Sequence, residues 1–325
     1  MTCSRTLQGR FVLGRYTSLI LLLLSVTVWT VGIFTTISPA HVGWPGYTFV
    51  VPGKFFSVAL PLASHVAIAA MLGTFIVHES RINWFASLYI FLASVSVFIN
   101  HDITASFSSL LFVLVMWQLF NCHQGATASG SVFTSFALLG LSSFILPQFI
   151  ILIPMLVVYI LMMNIRGTKC MAAGILGLML PFWFLFGITY VWPEASGIMP
   201  SVDEMVGMVD FPSLVRLTPL SALVLVMELG IMIPAILLFV RSSVPSKPHL
   251  RRKLLFLMIV NAYLLVLSFF SNPDYWLMYA WRLPGLAVMA SYIFSFRVTR
   301  LSNIYFILVF IIWFVIAVLG IWASR

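Results

Sequence analysis

The chain has 325 residues, of which 62% are hydrophobic and only 8% are charged, and its mean hydropathy is +1.11. A soluble domain needs roughly a quarter charged residues for its solvated surface, so this composition excludes a water-soluble globular protein. The net charge of +9 is spread over short clusters between apolar runs, which is typical of membrane topology signals, so we expect no nucleic-acid partner.

The apolar runs predict an all-α, polytopic transmembrane bundle that forms a single integral membrane domain over residues 1–325. Arg5, Arg10 and Arg15 precede a first run that is too long for a cleaved secretory segment, and we expect it to remain as a span. Eleven runs are long enough to count as spans. In chain order they are 17–37, 55–77, 83–99, 104–120, 131–146, 149–163, 170–190, 218–240, 254–270, 275–295 and 303–322.

The stretch 131–163 contains Pro147 and Pro154 and could form one tilted helix or two short spans. With two spans and a cytoplasmic N-terminus, thirteen of the seventeen Lys and Arg residues lie on the cytoplasmic side. A single span would move the basic cluster 241–253 outside, against the positive-inside rule. We therefore predict eleven spans, with the N-terminus cytoplasmic and the C-terminus outside.

The same topology places the cysteines on the reducing side of the membrane. Cys3, Cys122 and Cys170 map at or near the cytoplasmic face, so no disulfide is expected. Cys122-His123 lacks a second pair at ligand spacing, and we predict no metal site.

Motifs of soluble catalysis are missing from the sequence. It has no phosphate-binding glycine loop ending in Lys-Ser or Lys-Thr, no HExxH, no CxxC and no GxSxG. The longest connection, 191–217, is too short for a folded catalytic domain. We expect no ATP hydrolysis by this chain alone and no cofactor.

Ionisable groups inside predicted spans are costly and are therefore candidates for function. Glu228 lies near the middle of 218–240, where it could relay protons, pair with a cation or accept hydrogen bonds from neighbouring helices. His65 lies four residues after Pro61, which frees a backbone carbonyl that a polar group can satisfy. For both residues a structural inter-helix contact is the alternative to a functional role.

Arg282 lies directly before Leu283-Pro284-Gly285, where the helix should kink. Its guanidinium could extend toward the outer boundary or bind an anionic head group such as a lipid phosphate. The outer face also carries Asp274, eight residues earlier, which need not pair with Arg282. Further outer-face candidates are Asp102 or Asp274 as a catalytic base, and Lys54 and His101 as substrate or lipid-phosphate ligands.

Small residues at helix-contact spacing, Ala63 with Ala67 and Ala173 with Gly177, predict packing positions. They allow two helix backbones to approach closely. We assign them no catalytic role.

Two segments resemble an uncharacterised family of polytopic inner-membrane proteins from Bacteroidota, classed as a domain of unknown function. One runs from Asn100 to Pro181, with a polar turn, a Pro-centred hairpin and the run Gly174-Ile175-Leu176-Gly177-Leu178-Met179-Leu180-Pro181. The other runs from Tyr275 to Phe306, with Arg282-Leu283-Pro284, Ala290-Ser291-Tyr292, Arg297 and Arg300. The resemblance implies a multi-pass protein of the bacterial inner membrane. That family has no established activity, so no catalytic residues are carried over from it.

The layout is also similar to membrane glycosyltransferases that use polyprenyl-phosphate sugars. Those usually carry an acid in the first outer loop, whereas Ser38–Lys54 has none. Three classes of function remain open, with an unassigned role in cell-envelope biogenesis as the common element. The chain could be an enzyme acting on a lipid-linked substrate, a transporter or flippase with an intramembrane polar path, or a non-catalytic subunit with a membrane-protein partner.

The classes differ in the geometry they require. The enzyme requires Asp102, Asp274 and Arg282 to converge on one outward cavity. Transport requires Glu228 and His65 to share a cavity that crosses the midplane. A subunit requires neither, but needs an apolar lateral surface for its partner.

Overall fold

The structure is a computed structural model. It describes residues 17–35, 41–44, 47–50, 54–74, 82–95, 103–122, 128–165, 167–192, 219–241, 248–270, 275–296 and 299–323.

The described residues form eleven α-helices, one 3-10 turn and one β-hairpin. The helices are α1 (Thr17–Thr35), α2 (Lys54–Thr74), α3 (Ile82–Val95), α4 (Ile103–Phe120), α5 (Ala128–Ile145), α6 (Ile153–Met162), α7 (Thr168–Val191), α8 (Pro219–Arg241), α9 (Pro248–Phe270), α10 (Tyr275–Phe296) and α11 (Arg300–Ala323). The 3-10 turn, Pro147–Leu152, leads directly into α6.

Each predicted span overlaps one of these helices, so the helical class is confirmed. The sequence did not predict the hairpin, in which β1 (His41–Trp44) pairs antiparallel with β2 (Tyr47–Val50). This segment was predicted only as a loop. Its β-branched and aromatic residues flank Pro45-Gly46, a combination that favours strands joined by a turn.

Four of the described helices are long and apolar enough to cross a membrane. They are Thr168–Val191, Pro219–Arg241, Leu250–Phe269 and Arg300–Gly320. Shorter apolar helices accompany them, among them Thr104–Phe120 and Ala128–Phe144. The chain is therefore a helical membrane protein.

Helix α10 lies at the centre of the bundle. It packs against α3, α4, α8 and α9, and nearly all of its side chains are buried. Trp281 is fully buried between Phe112 of α4, at 6.2 Å between ring centroids, and Phe149 of the 3-10 turn, at 4.6 Å. A position on α10 is therefore a position in the protein core.

Helices α5 and α7 pack closely and run in the same direction. A Cβ added to Gly140 of α5 would lie 2.8 Å from the carbonyl oxygen of Leu178. A Cβ added to Gly177 of α7 would collide with the backbone of Phe133. Phe133 thus lies against Gly177, and the later residue Gly140 lies against the later residues Leu178 and Pro181, so the two helices are parallel. The chain between them, the 3-10 turn and α6, must therefore return to the starting side.

Several prolines lie within or near the starts of helices, and three of them leave backbone carbonyls that neighbouring helices satisfy. Proline has no N–H, so the carbonyl one turn earlier must be satisfied from elsewhere, which matters most in lipid. The three prolines are Pro284, Pro234 and Pro154. Hydroxyl groups on neighbouring helices donate to these carbonyls: Ser109 to Ala280 at 2.9 Å, Tyr305 to Gly230 at 2.7 Å and Tyr263 to Ile151 at 2.8 Å.

Two described cysteines are free thiols in different environments. Cys122, just after α4, is 2% exposed, and its thiol contacts the Ala128 carbonyl oxygen at 3.4 Å. Burial raises the pKa of the Cys122 thiol to about 11, with a smaller contribution from Cys170. Cys170, near the start of α7, is partly exposed.

In a Cys3→Ser background, Cys170 is expected to react with maleimide at least tenfold faster than Cys122. Only the thiolate reacts rapidly with maleimide. At pH 8 only a small fraction of Cys122 is thiolate because its pKa is raised, and its buried position also limits access of the reagent. Mass spectrometry of tryptic peptides over a time course measures both rates in one sample. Equal rates in the folded protein would contradict the buried position of Cys122, and denaturant should abolish the difference.

Candidate functional site

A buried ion pair joins α8 and α10. Nε of Arg282 donates to Oε1 of Glu228 at 3.0 Å, and Nη2 donates to Oε2 at 3.1 Å. Both side chains are 0% exposed. The two parallel hydrogen bonds match the planar guanidinium to the planar carboxylate, which is the strongest geometry for such a pair.

The rest of the guanidinium is also held by the protein. Nη1 donates to the carbonyl oxygen of Leu264 on α9, at 3.2 Å. The guanidinium carbon lies 5.3 Å from the ring centroid of Tyr275 and 6.0 Å from that of Tyr279. These rings present electron-rich faces to the cation. Arg282 therefore ties three helices together while its charge is neutralised by Glu228.

Glu228 and Arg282 lie at comparable distances from the first residues of their helices. Arg282 lies about 10 Å along α10 from Tyr275, and Glu228 about 14 Å along α8 from Pro219, at 1.5 Å per residue. Leu264 lies about 9 Å from the end of α9 at Phe270. Leu264 contacts Arg282 and Asn261 lies against Gly285, so α9 and α10 run in opposite directions.

A second polar cluster lies on α2, α3 and α4. Nδ1 of His65 is 2.8 Å from the hydroxyl of Tyr89, and Nε2 is 3.5 Å from the hydroxyl of Ser106. His65 is 2% exposed and Tyr89 is 0% exposed. This His65 cluster satisfies both ring nitrogens inside the protein.

Helix α4, which contributes Ser106 to the His65 cluster, is also connected to the central helix α10 by two serines. Ser109 donates to the Ala280 carbonyl, as described above, and the indole nitrogen of Trp281 donates to the hydroxyl of Ser108 at 3.0 Å. Ser108 in turn donates to the Ala105 carbonyl at 2.9 Å. A layer of buried polar contacts thus crosses the bundle next to the ion pair.

Two apolar cavities lie beside the bundle and away from these polar groups. One, of about 700 Å³, is lined by α4, α5 and α7. The other, of about 300 Å³, is lined by α5, α6 and α7. Neither is lined by Glu228, Arg282 or His65.

The structure thus places the sequence candidates as follows. It brings Glu228 and Arg282 together, and it places His65 in a separate cluster. Lys54 is the first residue of α2, although its side chain lies outside the described residues. Asp102, Asp274 and His101 also lie outside them. Among the residues that the structure describes, no group of three or more His, Cys, Asp or Glu side chains could hold a metal ion.

Sequence reasoning found both members of the ion pair but did not pair them. Glu228 and Arg282 are 54 residues apart, so no local spacing connects them. The available signal was that each lies inside a predicted span at a similar distance from the same side of the membrane.

The comparisons with known proteins give one match. A family model described as a family of unknown function (DUF6427) matches residues 52–322, which include both segments quoted for the family resemblance. The expectation of a family of unknown function is confirmed. No curated protein and no solved structure matches the chain.

Proposed function

The chain belongs to the DUF6427 family, and we propose that it is a non-catalytic subunit of a multi-pass membrane assembly. We place it in the bacterial inner membrane, with a role in cell-envelope biogenesis. The observation that carries the proposal is that Glu228 and Arg282, both fully buried in the described bundle, neutralise each other in a closed core.

The enzyme hypothesis needs a free guanidinium for a lipid phosphate. Nε and Nη2 of Arg282 are bound to Glu228, and Nη1 is bound to Leu264. The side chain is 0% exposed, so a phosphate would first have to displace the carboxylate. This geometry favours a structural role for Arg282.

The transport hypothesis needs Glu228 and His65 on a shared path. Glu228 is 0% exposed and His65 is 2% exposed, and each has its own partner within the protein. Both groups serve as inter-helix contacts in this arrangement. In a bilayer such contacts promote association, because lipid supplies no hydrophobic force between helices.

Helix α7 offers a lateral surface for a partner. It packs mainly against α5 and is the least buried of the four long apolar helices. Trp183 is 76% exposed, Phe186 is 63% exposed and Tyr190 is 82% exposed. Their spacing of three and four residues places them on one face of the helix. Large aromatic residues are enriched at protein interfaces.

The directions of the helices support eleven spans in the proposed topology. Because α5 and α7 run in the same direction, the chain between them must cross back through α6. This is the arrangement that two short spans, 131–146 and 149–163, require. Arg251 lies 5.2 Å from the Phe239 ring centroid and Lys253 lies 5.6 Å from that of Phe120. The ends of α4 and α8 therefore meet the start of α9, and the positive-inside rule assigns this basic side to the cytoplasm.

A photo-crosslinking amino acid in place of Trp183 or Tyr190 is expected to give one discrete protein adduct in native membranes. The matched control is Phe314 of α11, which is 70% exposed and should give adducts with lipid only. Gel shift followed by mass spectrometry measures the products.

Adducts with lipid alone from both α7 positions would overturn the partner surface. A protein adduct of equal yield from Phe314 would show that crosslinking reports crowding in the membrane, and it would also count against the proposal. The partner surface is supported if protein adducts form from the α7 positions but not from Phe314, and if both α7 positions give an adduct of the same mass.

A further inference from the structure

The larger cavity forms a groove on the side of the bundle, away from the proposed partner surface of α7. Its volume is about 700 Å³, which is within the range of small-molecule sites. Its α7 wall lies on a different face of the helix from Trp183 and Tyr190. The apolar side chains that form most of the walls are Leu138, Leu141, Phe144, Leu180, Phe184 and Ile188.

The floor of the groove is closely packed. Gly140 and Gly177 hold the backbones of α5 and α7 in direct contact. The Pro181 ring lies 3.2 Å from the position that a Cβ on Gly140 would take, and the rings of Phe144 and Phe182 meet edge to face at 4.8 Å. The backbones of α5 and α7 are already in contact, so these two helices cannot close the groove by moving closer together.

The groove carries no charged side chain, and its single polar contact is already satisfied. Nε2 of Gln118 donates to the hydroxyl of Thr134 at 2.6 Å, and both residues lie at one end of the groove. A charged or strongly hydrated ligand would lose its solvation here without new partners. The complementary occupant is therefore a neutral hydrocarbon.

The length of the groove is close to the thickness of one leaflet of a bilayer. Thr134 and Phe144 mark its ends on α5, and they lie about 15 Å apart along the helix. This is half of the roughly 30 Å hydrocarbon core. At the end near Ile188, α7 continues to Tyr190 and Trp192, which are 82% and 66% exposed. Exposed Tyr and Trp are typical of the membrane–water interface.

We propose that this groove holds one acyl chain of a bilayer phospholipid as a retained lipid. The head group lies at the interface marked by Tyr190 and Trp192, and the chain runs along the groove toward Gln118 and Thr134. The open side of the groove faces the bilayer, since Leu141 is 52% exposed and Phe184 is 63% exposed. A lipid can therefore enter sideways from the surrounding leaflet. This inference goes beyond the proposed subunit role and does not depend on it.

The test is native mass spectrometry of the full chain, delipidated in detergent and then titrated with palmitoyl-oleoyl phosphatidylethanolamine. The wild type is expected to hold one phospholipid at collision energies that strip the others. Leu141→Trp should fill the mouth of the groove and reduce this retained fraction at least fivefold. The matched control is Leu308→Trp on α11, where Leu308 is 51% exposed, and it should retain the lipid.

Ala137→Leu fills the same groove from its α5 wall and serves as a second variant if Leu141→Trp fails to fold. Equal retention by wild type, both groove variants and Leu308→Trp would overturn the proposal. So would a wild type that loses all its lipids at one collision energy, since only annular binding would then remain. Crosslinking from Trp183 is unaffected by either outcome, so failure here is distinguishable from failure of the subunit proposal.

Discussion

Replacing Arg282 by methionine is expected to destabilise the folded chain by about 3–5 kcal/mol. The variant leaves Glu228 without its bidentate partner at a position that is 0% exposed. It also removes the donor to the Leu264 carbonyl. An uncompensated charge in a closed core costs far more than the loss of one contact, because neither water nor another cation can reach it. Thermal unfolding followed by fluorescence-detected size exclusion measures the loss.

The double variant Glu228→Met/Arg282→Met separates a structural role from a chemical one. Apolar replacement of a whole buried ion pair is often neutral or stabilising, so the double variant should recover most of the stability lost by Arg282→Met. Arg300→Met is the matched control, since Arg300 is exposed, and its effect should stay within about 0.5 kcal/mol.

Two outcomes would contradict this account of the ion pair. If the double variant were as unstable as Arg282→Met, the instability of the single variant would not come from an unpaired Glu228 charge. A single variant as stable as the wild type would show that Glu228 does not need Arg282 in the folded state. A stable double variant that still forms the α7 crosslink would support the subunit proposal, since the partner surface would then work without the charges.

Replacing Gly177 by alanine is expected to destabilise the chain by about 1–3 kcal/mol, which is the usual cost of overpacking. The added Cβ would collide with the backbone of Phe133 on α5. A backbone cannot move aside as the end of a flexible side chain can, so α5 and α7 must separate. The loss exceeds the gain of about 1 kcal/mol that alanine normally brings to a helix in place of glycine.

Gly187→Ala is the matched control on the same helix. A Cβ added to Gly187 meets no atom within 4 Å, so only the helix preference acts and the variant should be neutral or slightly stabilised. Thermal unfolding of both variants in the same detergent gives the comparison. Equal effects at Gly177 and Gly187 would contradict the close contact between α5 and α7.

Much of the secondary structure was predictable from local sequence. An apolar run of sufficient length forms a helix in lipid because its backbone groups must be satisfied within the segment. The predicted span 104–120 therefore agrees with Ile103–Phe120, and 275–295 agrees with Tyr275–Phe296. The start of α9 was placed six residues too late, at 254 instead of Pro248, because a basic cluster was assigned to the preceding loop.

The candidate site was predictable only residue by residue. Glu228 and His65 were singled out because charge and polarity are costly in lipid. Pro61 suggests a backbone partner for His65, and the structure adds a contact between the imidazole and the Tyr89 hydroxyl. Ala173 with Gly177 was predicted as a packing site, and Gly177 does lie against α5.

The sequence alone determined that this chain belongs in a membrane, where its helices lie and which residues are costly to bury. These properties depend on local composition and on the energy of a residue in lipid, so a single segment contains the information. Only the tertiary structure decided that Arg282 faces Glu228, that α10 is central and that a groove opens beside α5. These facts depend on which helices become neighbours, and long-range side-chain packing selects the neighbours.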